Sequence, residues 1–169
     1  MSEKLSFIED AQSLAKQKMD EINPDLSARF QLLVKFLSQF PENCSKPPNK
    51  IKEKFGKEEH IEHLARNFHN SRRPKKPTPP TTVPDEVVSL VLHASFDIPA
   101  EHLNRIKEEH RLSMAAENIV GDLLERYLAE KLEPTGWIWC SGTSVKAVDF
   151  IHYNSEKDDW GLLQVKKQR

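Results

Sequence analysis

The 169-residue chain is poor in several things on which small proteins are often built. Cysteine occurs twice, at Cys44 and Cys140, too few for a disulfide framework or a four-cysteine zinc site. Glycine occurs five times and forms no Gly-rich phosphate loop or nucleophile elbow, and there is no Cys-x-x-Cys pair. No stretch approaches the roughly 18 consecutive apolar residues of a membrane-spanning helix. The first residues, MSEKLSFIED, carry acids and lack an apolar stretch, so they do not read as a secretory signal. The expectation is a protein of a reducing, cytoplasmic compartment with no membrane partner. Aromatic residues are few, at 8%, but argue against wholesale disorder. The length suits one ordinary domain, or a compact core with an appendage.

The net charge of −1 hides an uneven distribution. Residues 46–76 hold ten Lys/Arg against four acids, whereas residues 85–134 hold eleven acids against five basic residues. A basic segment beside an acidic one is compatible with nucleic-acid contact, although most such runs are solvated faces.

The pattern is helical for about 130 residues and then changes. Residues 3–22 read as a helix. Asn23-Pro24 restarts it, with Asn as N-cap and Pro in the first helical position. Leu26, Phe30, Leu33, Val34, Leu37 and Phe40 then form an amphipathic helix that ends before Pro41. Residues 42–49 read as a loop, and 50–70 as a weakly apolar helix. Residues 71–84 carry five prolines, which excludes helix or central strand and reads as a basic, semi-rigid linker. The composition thus divides the chain into a helical region 1–70, a linker 71–84 and a segment 85–169. In that segment a short helix opens at Pro84-Asp85-Glu86, a second at Asp97 to Pro99, and a third is capped by Ser113 and runs through Leu132. Beyond Gly136, WIWCSG, VKAVDFIHYN and WGLLQVKK read as three strands.

The last two strands predict a hairpin symmetric about the Glu156–Lys157 bond, in which Asp149 lies opposite Gln164. Lys166 then shares the face of Gln164, and Val148, Phe150, Leu163 and Val165 share the other, apolar face. A slip of one residue would break this arrangement. In the preceding helix, Ile119, Val120, Leu123, Leu124, Tyr127, Leu128 and Leu132 form a broad apolar stripe. Glu117 falls within it and Glu125 at its edge, where a carboxylate needs a partner or a metal. Gly121 would admit another backbone. An Asp, a helix Glu and a strand Lys make chemical sense together: carboxylate oxygens suit Mg2+, which polarises a phosphodiester, while a lysine stabilises developing charge.

The run ENIVGDLLERYLAEKL, GWIWCSGT, AVDFI and LLQVKK resembles the PD-(D/E)XK, restriction-endonuclease-like nuclease superfamily, and more narrowly the SinI type II restriction endonuclease family. The likeness covers about residues 113–169. It implies an α+β fold, with a helical region followed by a partial nuclease core of one helix and three mostly antiparallel strands. It implies Asp149 as principal metal ligand, Gln164 in the acidic position of the third motif and Lys166 as catalytic lysine. Glu125 is the helix glutamate, with Glu117 as its rival. The metal set is then Asp149, Gln164 and Glu125, holding Mg2+. The resemblance further implies hydrolysis of double-stranded DNA at a short site such as GGWCC, a homodimer, and a cognate DNA methyltransferase in a prokaryotic restriction-modification system. Three departures stand out: Ala147-Val148 replaces the proline before Asp149, Gln replaces an acid at 164, and the superfamily core continues beyond its lysine, whereas here three residues follow. A truncated, inactive remnant, or a helical interaction module that needs a partner, are the alternatives.

For DNA contact, the candidates are Arg72, Arg73, Lys75 and Lys76 of the linker, with Thr143, Ser144 and Lys146 between the first two strands. His60, His63 and His69 do not have the spacing of a His-Glu-x-x-His zinc motif and read as part of a charged helix face. Trp137, Trp139 and Trp160 read as sheet-packing residues.

Overall fold

The computed structural model of the chain describes residues 5–76, 78 and 86–166. The prolines of the expected linker at 77, 79, 80 and 84, and residues 167–169, lie outside the described residues. Contacts divide the chain into two units, residues 1–74 with 125–169, and residues 75–124. Composition instead sets its boundaries at residues 70 and 84, because prolines and charge mark the chain while packing unites distant segments.

The first unit opens with helix α1, Ala11–Ile22. It begins later than residue 3, since the chain before it is held by other contacts. The Ile8 N–H donates to the Gly56 carbonyl at 3.1 Å, and the Phe7 ring meets Phe55 edge-on at 5.4 Å. Gly56 sits at φ +69, and a Cβ there would collide with the Ser6 carbonyl, so only glycine fits. Asn23 accepts from the Asp25 N–H, and Pro24 opens a 3-10 turn that runs into α2, Ser27–Gln39, as the Asn-Pro pair predicts. Two further 3-10 turns, Pro41–Asn43 and Asn49–Lys54, lead to α3, Glu58–Ser71.

α3 is not the weakly apolar, charged helix that its composition suggests. His60, Ile61, Leu64, Ala65 and Phe68 all face inward and are buried. Histidine and alanine complete an apolar stripe that large aliphatic residues alone do not draw. Phe30 of α2 and Phe68 of α3 meet at 5.4 Å in the centre of the main core, with Met19, Leu33 and Leu37.

The sheet belongs to this same unit. Its order is β1 (Trp137–Trp139), β2 (Phe150–Asn154) and β3 (Asp159–Leu163), antiparallel throughout. Phe150 pairs with Leu163 and Asn154 with Asp159, which is the register expected from the turn symmetry. Ile138 and Ile151 join the main core against the helices, while Trp139 and Phe150 form a second core with Ala129. Both faces of the sheet are therefore covered. The expectation of one packed and one open polar face fails, because the alternating residues beyond Asp149 include the wholly buried Ile151. Val148 also departs from the apolar set: it packs on the main core while Leu163 and Val165 pack on the second, after Ala147 turns the chain at φ +54. The tryptophans pack as expected, Trp160 against Phe36 at 5.2 Å and Trp137 against His152 at 5.4 Å.

The second unit holds α4, Glu86–Phe96, and the first part of α5, Ala100–Leu132. α5 is continuous, so Ser113 caps nothing. No proline interrupts it, and pairs such as Arg105–Glu109 support its exposed face. α4 leaves Val87, Leu90 and Phe96 exposed, at 64%, 72% and 68%. The expected stripe of α5 is likewise largely exposed: Val120, Leu123, Leu124 and Tyr127 face outward, whereas Ile119 and Leu128 are half-buried. Nothing lies within 4 Å of a Cβ built on Gly121, so this glycine serves no close approach.

Candidate functional site

Asp149 stands where the ladder of the sheet gives way. The Cys140 N–H donates to the Asp149 carbonyl at 2.8 Å, and the Asp149 N–H donates to the Leu163 carbonyl at 2.9 Å. Regular pairing ends there, and the Val165 N–H donates instead to the Asp149 carboxylate, Oδ2, at 2.7 Å. These bonds hold Asp149 beside Leu163 and Val165; the ladder itself ends at Phe150–Leu163, one step short of the expected Asp149–Gln164 pair. Asp149 is half-buried, whereas Gln164 and Lys166 are exposed. Its carboxylate also lies near the buried thiol of Cys140, whose pKa is pushed up first by burial and then by the Asp149 charge.

The donors left over have a definite chemistry. Among the described residues, Asp149 Oδ1 and the side chains of Gln164 and Lys166 have no hydrogen-bond or ion-pair partner. No group of three His, Cys, Asp or Glu converges on a metal-sized point among the described residues. Mg2+, however, keeps several waters and is commonly held by one or two carboxylates. A carboxylate oxygen beside an amide carbonyl is a donor set that such an ion accepts.

Glu125 is fixed by a different network. Its Oε2 accepts the indole N–H of Trp139 at 3.0 Å. Trp139 is anchored in turn, because its backbone N–H donates to Glu133 Oε1 at 3.2 Å and its carbonyl accepts from Arg72 at 2.9 Å. Arg72 grips Glu133 through both terminal nitrogens, at 3.1 and 2.7 Å, and its guanidinium lies 4.3 Å from the Phe68 ring centroid. Arg126 donates to the carbonyls of Ser71, Arg72 and Arg73, the open C-terminal end of α3, where a cation also meets the negative end of the helix dipole. A polar network thus ties α3, the last turns of α5 and β1 together around Trp139.

Glu117 lies in the other unit and is exposed, so it is not the buried carboxylate that its helical position suggested. Of the basic candidates, Arg72 is committed to Glu133 with its side chain only 14% exposed. Arg73 is exposed and lies 3.2 Å from His69. Lys75 is 3.8 Å from Asp122, and Lys76 is exposed. Thr143 is exposed at φ +53, Ser144 is buried, and the Lys146 ammonium donates to the Glu42 carbonyl at 2.7 Å.

Sequence reasoning missed Arg126, Glu133 and the role of Arg72. Arg126 and Arg72 reach partners 53 to 67 residues away in the chain, and no periodicity links them. The one available signal was a carboxylate immediately before Pro134, at the end of an apolar stripe. It also missed His60, which is fully buried and whose pKa is pushed down to about 4, chiefly by burial and then by the neighbouring His63.

Comparison with known proteins bears on the same residues. A type II restriction enzyme of Salmonella infantis, SinI, is 76% identical over 169 residues, an alignment that spans 99% of this chain and 74% of that protein. A type II restriction enzyme of Escherichia coli, Eco47I, is 72% identical over the same span of this chain and 74% of its own length. The family model described as SinI restriction endonuclease matches residues 11–169, and so takes in α1 to α3, the Arg72–Glu133 network and the Asp149–Lys166 site alike. With this match and such identities, the chain belongs to the SinI restriction endonuclease family.

Proposed function

We propose that the protein is a type II restriction endonuclease that hydrolyses phosphodiester bonds of double-stranded DNA at a short specific site, with Mg2+ as cofactor. The observation that carries the reading is the placement of Asp149, Gln164 and Lys166 at one end of the β2–β3 hairpin, in a chain of this family. Asp149 Oδ1 and the Gln164 carbonyl would hold the ion, with Glu125 as the helix carboxylate. When bound, Mg2+ supplies Lewis acidity toward the phosphodiester and toward the attacking water. The Val165 N–H holds the Asp149 carboxylate in one orientation, and the preorganised group costs nothing to place during reaction. Lys166, exposed and without a carboxylate partner among the described residues, offers its ammonium to charge that develops on the phosphate. Gln164 lowers the negative charge of the site relative to an acid, so more Mg2+ is needed to fill it.

The partners proposed are duplex DNA with GGWCC as the site, a second copy of the chain to match a two-fold sequence, and a methyltransferase of the same specificity, in a prokaryotic cytoplasm. No described helix is long and apolar enough to cross a membrane. The test is digestion of plasmid DNA by the purified protein with Mg2+. Discrete fragments, lost in Asp149→Ala, are expected; random nicking, or equal activity of the two proteins, would refute the reading. A second reading, a module that needs a partner chain, is favoured by the exposed Val87, Leu90 and Phe96 of α4. Under that reading the protein alone cuts nothing, with Mg2+ or without it.

A further inference from the structure

A pocket of about 190 Å³ lies between α3, the Ser45–Lys46 segment and the loop of residues 142–144. Two of its lining side chains are buried and unsatisfied: neither His60 Nε2 nor Ser144 Oγ has a hydrogen-bond partner among the described residues. His60 is fully buried and Ser144 is 2% exposed. A buried polar atom without a partner has lost its hydration with nothing in return, so two of them in one small pocket call for a ligand.

The chemistry of that ligand follows from the donors. The Gly56 N–H donates to His60 Nδ1 at 3.0 Å, so Nδ1 is the unprotonated nitrogen and Nε2 carries the ring hydrogen. Nε2–H is therefore a donor, and the Ser144 hydroxyl can donate as well. Lys46 lines the same pocket, is exposed and has no carboxylate within ion-pair distance among the described residues. Its segment is fixed, since Ser45 N–H donates to the Ser144 carbonyl at 2.9 Å and Cys44 bridges Val145 in antiparallel fashion. The loop opposite is fixed too: Ser141 Oγ donates to the Phe68 carbonyl at 2.9 Å, and Gly142, at φ +86, brings its backbone so near α3 that a Cβ would lie 2.9 Å from the Asn67 carbonyl. Beside it a larger pocket, about 740 Å³, shares Lys46 and adds Lys52, Lys57 and Lys146 against the single acid Glu53. Donors, a cation and a positive rim select an oxyanion.

We propose that His60, Ser144 and Lys46 form a phosphoryl-binding pocket that takes one backbone phosphate of the bound duplex, outside the cleavage site. This rests on the DNA-cleaving function proposed above. Its place in the chain suits the role. Asp149 follows Ser144 by five positions, an extended reach of at most about 18 Å. That corresponds to about five base-pair steps at roughly 3.4 Å each, so the phosphate held lies near the one cut.

The test is the affinity of the full-length protein for duplex DNA, measured by fluorescence anisotropy across a salt series in EDTA, for native protein, Lys46→Gln, Ser144→Ala and the double variant. Lys46→Gln should lower the slope of log affinity against log salt by about 0.9, the value for one phosphate contact. Ser144→Ala should weaken binding several-fold, and the double variant should lose less than the sum of the two, because both act on one phosphate. Lys16→Gln, in a pair with Asp20 on α1, should leave the slope unchanged. Lys46 is exposed, so its variant tests the pocket even if Ser144→Ala proves unstable. Native slope and affinity in both single variants would overturn the pocket while leaving the nuclease reading intact. Failure of native protein to bind DNA would overturn the nuclease reading itself. Inorganic phosphate raising the melting temperature of native protein but not of Ser144→Ala, with DNA affinity unchanged by either substitution, would assign the pocket to free phosphate and overturn the backbone contact.

Discussion

Glu133 offers the sharpest perturbation of the network around Trp139. Replacing it with alanine removes two charge-assisted bonds from Arg72 and the acceptor of the Trp139 N–H. It also removes the carboxylate 3.7 Å from Arg29. The side chains of Arg72 and Glu133 are 14% and 12% exposed, so the guanidinium left behind is poorly solvated. Breaking a buried pair by deleting one partner costs about 3–5 kcal/mol, and the slight exposure here favours the lower end, about 3 kcal/mol. In a chain of this size each kcal/mol lowers Tm by about 2–4 °C, which gives a drop of roughly 6–12 °C. The comparison is Glu62→Ala, which breaks the Arg66 pair whose side chains are 63% and 38% exposed. An exposed pair is worth about 1 kcal/mol or less, hence a drop of at most about 4 °C. Differential scanning calorimetry on both variants decides the matter. Adding Arg72→Met to Glu133→Ala should recover part of the loss, since no unpaired charge then remains. If Glu133→Ala melts with Glu62→Ala, the network does not hold α3 to β1, and the reasoning fails.

Trp139→Phe deletes the indole N–H that binds Glu125 and should lower the cleavage rate about 10–100-fold, as lost outer partners of metal-site residues commonly do; an unchanged rate, measured at saturating DNA, would point away from Glu125. Gln164→Glu should let the enzyme reach half-maximal rate at a several-fold lower Mg2+ concentration, read from an Mg2+ titration of cleavage; an unchanged or higher requirement would remove Gln164 from the site. His60 has a folded pKa of about 4, below its ordinary value of 6.5. The unfolded chain therefore binds more protons between these limits, and stability falls as pH drops from about 6.5 toward 4. Urea unfolding across this range should show the loss in native protein and a shallower one in His60→Gln.

Some of this was legible in the chain. The hairpin register followed from a polar turn placed symmetrically about the Glu156–Lys157 bond, which sets Phe150 opposite Leu163. Asn23-Pro24 marked a helix start through local backbone chemistry alone. Hidden features depended on packing between distant segments. α1 starts late because Gly56 captures the chain before it, and α5 runs through Ser113 because no local signal is strong enough to stop it. Phe150 and Ile151 are both buried, since helices cover both faces of the sheet, and alternation cannot reveal a second cover. At the candidate site, the register up to Phe150–Leu163 brings Asp149 close to the segment that carries Gln164 and Lys166, whereas the hold on Glu125 was not legible, because it passes through Trp139, Glu133 and Arg72.

In the proposed mechanism Asp149 and Lys166 act on the phosphodiester and not on the fold. The direct measurement is single-turnover cleavage, at saturating Mg2+, of a duplex carrying the site that native protein cuts, with affinity for the same duplex measured in Ca2+. Lys166 is exposed, so Lys166→Gln should fold and bind DNA within a few-fold of native protein. Lys166→Gln and Asp149→Asn are each expected to bind the duplex but to cut it at least 1,000-fold more slowly, about 4 kcal/mol of lost transition-state stabilisation. Cleavage by either variant within tenfold of the native rate would contradict that mechanism.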